Sequence, residues 1–205
     1  VGYMIMGIGT GVPVGVAGGL FHMINHAVYK ACLFLTGGSV ERATGTSKLE
    51  ELGGLAAKMP VTATCFVIAA AAISGIPPFN GFFSKELIAQ GTLESGYSIF
   101  FIAAELGSLL TMASFLKLGH SVYFGQRPAD KGDVRESPWP MLVPMLALAG
   151  VCVLFGINAK IPLLLLIEPA LVNTFAAPDH HLWGFHFNTL FFVILGVMAL
   201  AALNH

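Results

Sequence analysis

The sequence predicts an all-α protein: a polytopic bundle of transmembrane helices in which one helix is discontinuous (broken). Two observations support this fold class. Hydrophobic residues make up 56% of the 205 residues and charged residues only 10%, whereas soluble globular domains contain about 25% charged residues. In addition, the hydrophobic residues are grouped into long stretches between polar loops, and one stretch is interrupted by two consecutive prolines.

The first part of the chain predicts a partial helix, a full span and a polar loop. Residues 1–16 are apolar but rich in glycine, contain Pro13 and are too short to cross a bilayer. We interpret them as the end of a preceding helix followed by a turn. Residues 18–40 are long enough for the first complete span, and residues 41–58 form a polar loop.

Residues 60–92 predict one membrane crossing made of two half-helices. Two consecutive prolines cannot both lie inside a regular helix, because the second lacks a backbone donor and pushes the first out of the helical region. Apolar sequence resumes after them, so we predict half-helices at 61–75 and 81–92. The helix break is assigned to Pro77, Pro78 and Gly81.

The rest of the chain is predicted to contain four more segments. They are a span at 97–124, a span at 139–157, an interfacial or partly inserted segment at 158–182, and a last span at 185–203. The whole chain, residues 1–205, is interpreted as a single membrane domain. Because it begins with Val1 and lacks the features of a signal peptide, we expect either a C-terminal piece of a longer protein or a naturally split subunit.

Positive charges are distributed unevenly between the loops. If the spans alternate in direction, the loops at 41–58 and 126–138 lie on one side and contain six lysines and arginines, whereas the opposite side contains only Lys160. An excess of lysine and arginine marks the cytoplasmic side of a membrane protein. We therefore predict that both loops are cytoplasmic and that the protein lies in the inner (cytoplasmic) membrane of the cell.

Composition and motifs disfavour several functions. A net charge of -1 and the lack of a run rich in lysine and arginine argue against nucleic acid as a partner. The three cysteines stand alone in apolar stretches, which argues against a disulfide framework and a zinc site. Because no haem-ligand pair, iron–sulfur cysteine set or nucleotide loop is found, we predict no cofactor and no metal. A metalloprotease is disfavoured too, because His180 and His181 lack the HExxH arrangement.

The candidate functional residues begin with a polar line in the first span, within the sequence LFHMINHAVYKACLFL. His22, His26 and Lys30 are spaced by four residues, so a helix places them along one side over about 12 Å. A charged residue at the bilayer centre costs about 2.5–3.5 kcal/mol, and such residues usually mark ion pathways. This line therefore predicts a function that involves ions or protons.

Further charges in the predicted spans extend this set. Lys85 and Glu86 follow the helix break, and Glu105 lies in the next span. Burial penalises the charged form of a lysine, so a buried lysine can take up or release a proton when its neighbours change charge. Histidines exchange protons in the physiological range. The predicted proton relay consists of His22, His26, Lys30, Lys85, Glu86 and Glu105.

Structural interpretations of these residues stay open on sequence alone. Each histidine by itself could be a satisfied core residue, and Glu105 could simply pair with a neighbouring helix. Glu86 could be a carboxylate at a helix start or a partner of Lys85. Lys117 and His120 lie close enough to a predicted cytoplasmic end for snorkelling to explain them.

Three stretches of the chain resemble one known family. FHMINHAVYKACLFLTGGSV, LEELGGLAAKMP and ISGIPPFNGFFSKELI resemble the antiporter-like membrane subunits shared by respiratory complex I (an NADH-quinone oxidoreductase), Mrp-type sodium/proton antiporters and membrane-bound energy-converting hydrogenases. The resemblance is specific over residues 18–125. It implies a helical subunit of about fourteen spans with two inverted five-helix repeats, of which this chain would contain the end of the second.

The resemblance also implies a function. Lys30 matches the lysine of the family's H-x-x-x-H-x-x-x-K pattern and Lys85 the lysine of its broken helix, so both would belong to the exit half of a proton path. We expect a proton-translocating subunit, with or without sodium coupling, of a redox-driven pump or antiporter, not catalytic alone. The alternative is a structural scaffold that anchors a hydrogenase or dehydrogenase arm. The expected partners are the lipid bilayer, a peripheral redox module and other membrane subunits, including further antiporter-like subunits.

Overall fold

The computed structural model describes residues 1–126 and 134–172, together with residue 196. Within these residues the chain is helical and contains no β-strand, as predicted for an all-α protein. The middle of the predicted 126–138 loop and, apart from residue 196, the predicted span at 185–203 lie outside the described residues.

The first two helices are α1, Gly2–Gly9, and α2, Pro13–Thr44, with the predicted turn between them. α2 is longer at both ends than the predicted span at 18–40. It begins at a proline, which the first helical turn accepts because the missing N–H would have no partner there. At the other end, Gly45 has a φ of 73° and adopts the left-handed conformation that terminates helices.

The predicted 60–92 segment contains two separate helices. α3 covers Pro60–Ser74 and α4 covers Asn80–Glu94. Both begin one residue earlier than predicted, and α4 continues two residues further. α3 ends because Gly75 adopts a left-handed conformation, with a φ of 84°, and donates its N–H back to the last turn. Residues 75–79, which include both prolines, connect the two helices.

The next two helices are long and strongly apolar. α5 covers Ser98–Phe124, with a π-helical last turn, and α6 covers Trp139–Ile157. Both helices lie within one residue of the predicted segments at 97–124 and 139–157. By length and hydropathy they are the two helices, among those described, that could each cross a membrane alone.

The last described helical segment, α7, occupies residues 160–171. It consists of α-helical Lys160–Pro162, π-helical Leu163–Ile167 and α-helical Glu168–Leu171. Its buried apolar side chains pack against the N-terminal half of α2. The end of the predicted interfacial segment at 158–182 lies outside the described residues.

α2 lies at the centre of the bundle and packs against α1, α3, α4 and α6. Its contact line with α4 is antiparallel and alternates in steps of three and four residues, the spacing of neighbouring side chains on one helix face. Glycines let the two backbones approach closely at one end of this line, and polar side chains meet at the other. The contacting pairs are Gly15 with Gly91, Gly18 with Ile88, His22 with Ser84, and Asn25 with Asn80.

An apolar core joins α2, α3 and α6. It contains Cys32, Cys65 and Cys152, all buried and unbridged. The Cys32 thiol donates to the backbone carbonyls of Cys65 and Met145, at 3.8 and 3.6 Å. This core holds α3 beside α2, and α3 also contacts α4.

Candidate functional site in the helix bundle

The polar line predicted in α2 turns gradually around the helix. His22 is buried, with 3% of its surface exposed, and faces α4, whereas His26 and Lys30 are half-buried. A step of four residues advances about 400°, slightly more than one turn, so Lys30 is rotated about 80° from His22. The three side chains therefore share a helix but meet different neighbours.

His22 uses both of its ring nitrogens. Nδ1 lies 2.9 Å from the Ser84 hydroxyl, and Nε2 lies 3.3 Å from the Tyr29 hydroxyl. Ser84 also donates to the Gly81 carbonyl oxygen at 3.2 Å. A neutral imidazole with its proton on Nδ1 satisfies all three bonds, with Tyr29 donating to Nε2. The ring of His26 lies 5.5 Å from that of Tyr29, so polar rings continue along α2.

A pair of buried amides holds the start of α4. Asn25 Nδ2 donates to the Asn80 backbone carbonyl oxygen, and Asn80 Nδ2 donates to Asn25 Oδ1, both at 3.0 Å. Asn80 Oδ1 is buried without a hydrogen-bond partner among the described residues. Gly81 packs so closely on the Ala72 carbonyl that a side chain at this position would collide with it. Specific contacts therefore set the position of the α3–α4 connection against α2 and α3.

Lys85 extends from α4 to the end of α3. Its side chain is buried, with 7% of its surface exposed, and Nζ donates to the Ser74 carbonyl oxygen at 3.3 Å. The last carbonyls of a helix lack intrahelical partners and form the negative end of its dipole, so they favour a cation. The side chain passes Gly75, where an added Cβ would lie 3.1 Å from Lys85 Cδ. The α3–α4 connection thus provides both an acceptor and space for this lysine.

The two predicted carboxylates differ in position. Glu105 of α5 is half-buried and attracts Lys85 electrostatically. Its Oε2 is buried and has no hydrogen-bond partner within the part of the chain that the structure describes. Glu86 is buried in α4, beyond the first helical turn. The interpretation of Glu86 as a helix-start carboxylate is therefore wrong, because α4 begins at Asn80 and Glu86 is too far along it to meet the free N–H groups.

Lys30 has different surroundings from Lys85. Its Nζ lies 5.8 Å from the centre of the Phe115 ring on α5, within cation–π distance. Phe115 also lines a cavity of about 600 Å³ between α3 and α5, whose wall includes Ser74 and His120. Since the Ser74 carbonyl accepts the hydrogen bond from Lys85, this cavity adjoins the surroundings of both lysines.

Tyr3 belongs to the site although the sequence analysis did not select it. Its hydroxyl donates to the Ala104 carbonyl and lies 2.9 Å from Ser108 Oγ, both on α5. Its ring centre lies 5.4 Å from that of His22 and 5.0 Å from Lys85 Nζ. The signal in the sequence is one tyrosine in a short glycine-rich stretch, which is too weak to indicate a contact with α4 and α5.

Four uncharged polar residues around His22 and the start of α4 also escaped selection. They are Asn25, Tyr29, Asn80 and Ser84. The two on α2 continue the three- and four-residue spacing of His22, so a signal for them exists in the sequence. That signal is ambiguous, because uncharged polar side chains in membrane helices commonly bond between helices for structural reasons.

Metal binding has no visible centre here. Among the described residues, no group of three or more histidine, cysteine, aspartate or glutamate side chains is arranged to hold a metal ion.

Sequence comparisons give a family and two informative relatives. A family model described as "NADH:quinone oxidoreductase/Mrp antiporter, TM" matches residues 1–111. One protein of the Na(+)/H(+) antiporter of Alkalihalophilus pseudofirmus is 35% identical over 161 residues, which covers 78% of this chain and 32% of that protein. One protein of the NADH-quinone oxidoreductase of Desulforudis audaxviator is 37% identical over 174 residues, covering 78% of this chain and 35% of that protein.

Two solved structures share the fold. One is from the membrane-bound sulfane sulfur reductase, an archaeal respiratory membrane complex, with a TM-score of 0.79 and 32% identity over 99% of this chain and 34% of that one. The other is from the Mrp complex of Dietzia sp. DQ12-45-1b, with a TM-score of 0.74 and 26% identity over 79% of this chain and 38% of that one. The chain thus spans about a third of the length of the curated relatives it matches.

Proposed function

Because the chain belongs to the NADH:quinone oxidoreductase/Mrp antiporter family of multi-pass membrane proteins, we propose that it forms the proton-conducting exit segment of an antiporter-like subunit in a redox-driven pump or antiporter. The observation that carries this proposal is the position of Lys85. Its ammonium group is buried at the end of α3 and is held by one carbonyl oxygen. A buried charge in a membrane is costly, and those that occur commonly serve ion or proton movement.

In this proposal α3 and α4 together make one broken membrane crossing within an inverted-repeat fold. Each helix has 15 residues, a length of about 22 Å, which is short of the roughly 30 Å hydrocarbon core of a bilayer. Joined through residues 75–79, they are long enough. Irregular backbone at membrane depth is tolerated where protein covers it, and the freed helix ends are suited to bind ions. The contact of Lys85 with the end of α3 supports this arrangement.

The proton path that we propose runs through the polar groups around Lys85. A change of charge on Glu105 alters the tendency of Lys85 to keep its proton, because the two groups attract each other. Hydroxyl and imidazole groups both donate and accept, so the chain of Ser84, His22 and Tyr29 can pass a proton on without large movements.

The remaining relay residues extend this path in two directions. His26 and Lys30 lead along α2 towards the cavity between α3 and α5, and Glu86 is a buried carboxylate further along α4. The cavity gives room for water, which is needed wherever donor and acceptor are too far apart for a direct hydrogen bond.

Partners and coupling ions are proposed from the relatives. Two structural relatives come from multisubunit membrane complexes, one of them respiratory, so we propose further antiporter-like subunits and a peripheral redox module as partners. Sodium coupling is proposed only from the names of the Na(+)/H(+) antiporter relatives. The inner-membrane location and the cytoplasmic position of the loops at 41–58 and 126–138 stay predictions from the count of positive charges.

Lys85→Met tests the proposal in the complete protein, assembled in membrane vesicles. Methionine keeps much of the length and apolar packing of lysine but carries no exchangeable proton. We expect proton translocation per assembled complex to fall at least about tenfold, equivalent to a barrier about 1.4 kcal/mol higher. The matched control is Lys117→Met, which replaces an exposed lysine of α5 and should leave translocation unchanged. Unchanged translocation in Lys85→Met would overturn the proposal.

The alternative function, a structural scaffold that anchors a hydrogenase or dehydrogenase arm, is favoured by a different observation. The hydrogen bonds of His22 and of the Asn25–Asn80 pair are direct and buried, as in a network that only joins helices. A scaffold predicts that Lys85→Met reduces assembly while each assembled complex works at the normal rate. Ordered waters joining Lys30 to Lys85 in an experimental map would favour conduction, whereas direct ion pairs in a dry interior would favour the scaffold.

A further inference from the structure

Two groups hold the Lys85 ammonium from different helices. The Ser74 carbonyl of α3 accepts its hydrogen bond at 3.3 Å, and the Tyr3 ring of α1 lies with its centre 5.0 Å from Nζ. An ammonium over an aromatic face within about 6 Å is attracted by the ring quadrupole, and the attraction strengthens where water is excluded. Lys85 is 7% exposed, so this contact lies in such a place.

The Tyr3 ring is itself held in a recess of α5. Its hydroxyl donates to the Ala104 carbonyl and lies 2.9 Å from Ser108 Oγ. Gly107 leaves room for that hydroxyl, because an added Cβ there would lie 2.9 Å from it. The recess consists of small residues on the same turn of α5 as Glu105, so the ring is fixed close to that carboxylate as well as to Lys85.

We infer that Tyr3 is a positioning residue, whose ring face keeps the Lys85 ammonium at the end of α3 rather than in a direct ion pair with Glu105. This inference rests on the proposed role of Lys85 in proton transfer. A lysine locked in an ion pair with Glu105 would hold its proton, whereas a lysine shared between a carbonyl and a ring face stays free to exchange it. Tyr3 also contacts the His22 ring, with 5.4 Å between centres, so the same side chain adjoins both groups of the proposed path.

Ring fluorination separates this role from simple packing. Phenylalanine carrying one, two or three ring fluorines is placed at position 3 of the complete protein, with unmodified Tyr3→Phe as the reference. Each fluorine weakens the negative face of the ring while leaving its size nearly the same. We expect proton translocation to fall stepwise with fluorine number, to at most about one fifth of the reference with three fluorines. Tyr3→Leu, which removes the ring, should lose at least as much.

The control series uses the same fluorinated residues at Phe34, which is 76% exposed on α2 and lies outside the site. Translocation should not change along that series. If the series at position 3 is also flat while Lys85→Met abolishes translocation, the inference about Tyr3 is wrong and the proposed function stands. If Lys85→Met has no effect, the proposed function fails, and this inference with it.

Discussion

The two ends of α3 each bind a side chain whose charge suits the helix dipole, but they bind it to very different extents. At the N-terminus, the Glu136 carboxylate accepts from the N–H groups of Val61 and Thr62, at 2.8 and 3.2 Å, and from the Thr62 hydroxyl at 2.6 Å. At the C-terminus, the Lys85 ammonium donates to the Ser74 carbonyl at 3.3 Å. Both contacts follow the same rule, since anions favour helix N-termini and cations favour C-termini.

The difference between the two ends lies in how fully each charge is satisfied. Glu136 receives three hydrogen bonds and ties the segment that leads into α6 to the start of α3, so it acts as a fixed cap. An ammonium group has three donors, and the described contacts of Lys85 are one carbonyl and one aromatic ring. The same electrostatic rule therefore produces a structural contact at one end and, in our proposal, an exchangeable proton at the other.

Gly75→Ala should have the largest effect, because it disturbs only the Lys85 end. Alanine at a φ of 84° is strained, and its Cβ would lie 3.1 Å from Lys85 Cδ, which pushes the lysine off the Ser74 carbonyl. Displacing a reacting group by about 1 Å can cost about 100-fold in rate. We expect proton translocation per assembled complex to fall about 10- to 100-fold, measured in vesicles.

Gly45→Ala is the control for backbone strain at a helix end. Gly45 terminates α2 with a φ of 73°, and an added Cβ would meet nothing within 4 Å. It should lower thermal stability by about 1 kcal/mol without changing translocation per assembled complex. Equal losses of translocation in the two variants would mean that the strain, not the contact with Lys85, is responsible.

Glu136→Ala should destabilise the protein without altering transport, because it disturbs only the capped end. The substitution leaves the first N–H groups of α3 and the Thr62 hydroxyl without their acceptor. We expect the free energy of unfolding to fall by about 2 kcal/mol, measured by thermal unfolding of the purified complex. Glu94→Ala, an exposed carboxylate near the end of α4, should cost less than about 0.5 kcal/mol. A loss of translocation in correctly assembled Glu136→Ala would contradict the division between the two ends.

Asn25→Ala should have the smallest effect of the three on stability. It removes two hydrogen bonds to Asn80, which hold the start of α4 and thereby the path of Lys85 to α3. Hydrogen bonds between membrane helices are worth about 0.6 kcal/mol each, so we expect a loss of about 1 kcal/mol. Thr111→Ala is a suitable control, because that hydroxyl bonds only within its own helix. A double variant, Asn25→Ala with Asn80→Ala, should lose less stability than the sum of the single variants.

Local chemistry explains what the sequence predicted well. The separation of α3 from α4 follows from two prolines and a glycine, whose backbone preferences act without help from distant residues. The bounds of α5 and α6 follow from apolar stretches that end at polar residues. The ends of α2 were harder to predict, since an apolar stretch says where a membrane begins, whereas the helix continued to the first residues that could start and stop it.

Contacts between distant residues could not be predicted in the same way. Tyr3 meets Ser108 and Lys85 only because α1, α4 and α5 pack together, and nothing near position 3 in the chain indicates those neighbours. The predicted line of His22, His26 and Lys30 assumed one direction for all three, but the helical repeat of 3.6 residues rotates each member away from the last. His22 therefore faces α4, and Lys30 lies beside Phe115 of α5.

The sequence by itself determined the all-helical membrane character of this protein, the place where the backbone must break and the identity of the ionisable side chains near that break. These properties depend on composition, proline geometry and short-range spacing. Only the tertiary structure decided which of those side chains share surroundings. The buried position of Lys85 depends on a carbonyl from α3, a ring from α1 and a carboxylate from α5. Such a site forms only when helices distant in sequence pack against one another, since charge and hydrogen bonding act over a few ångströms of space.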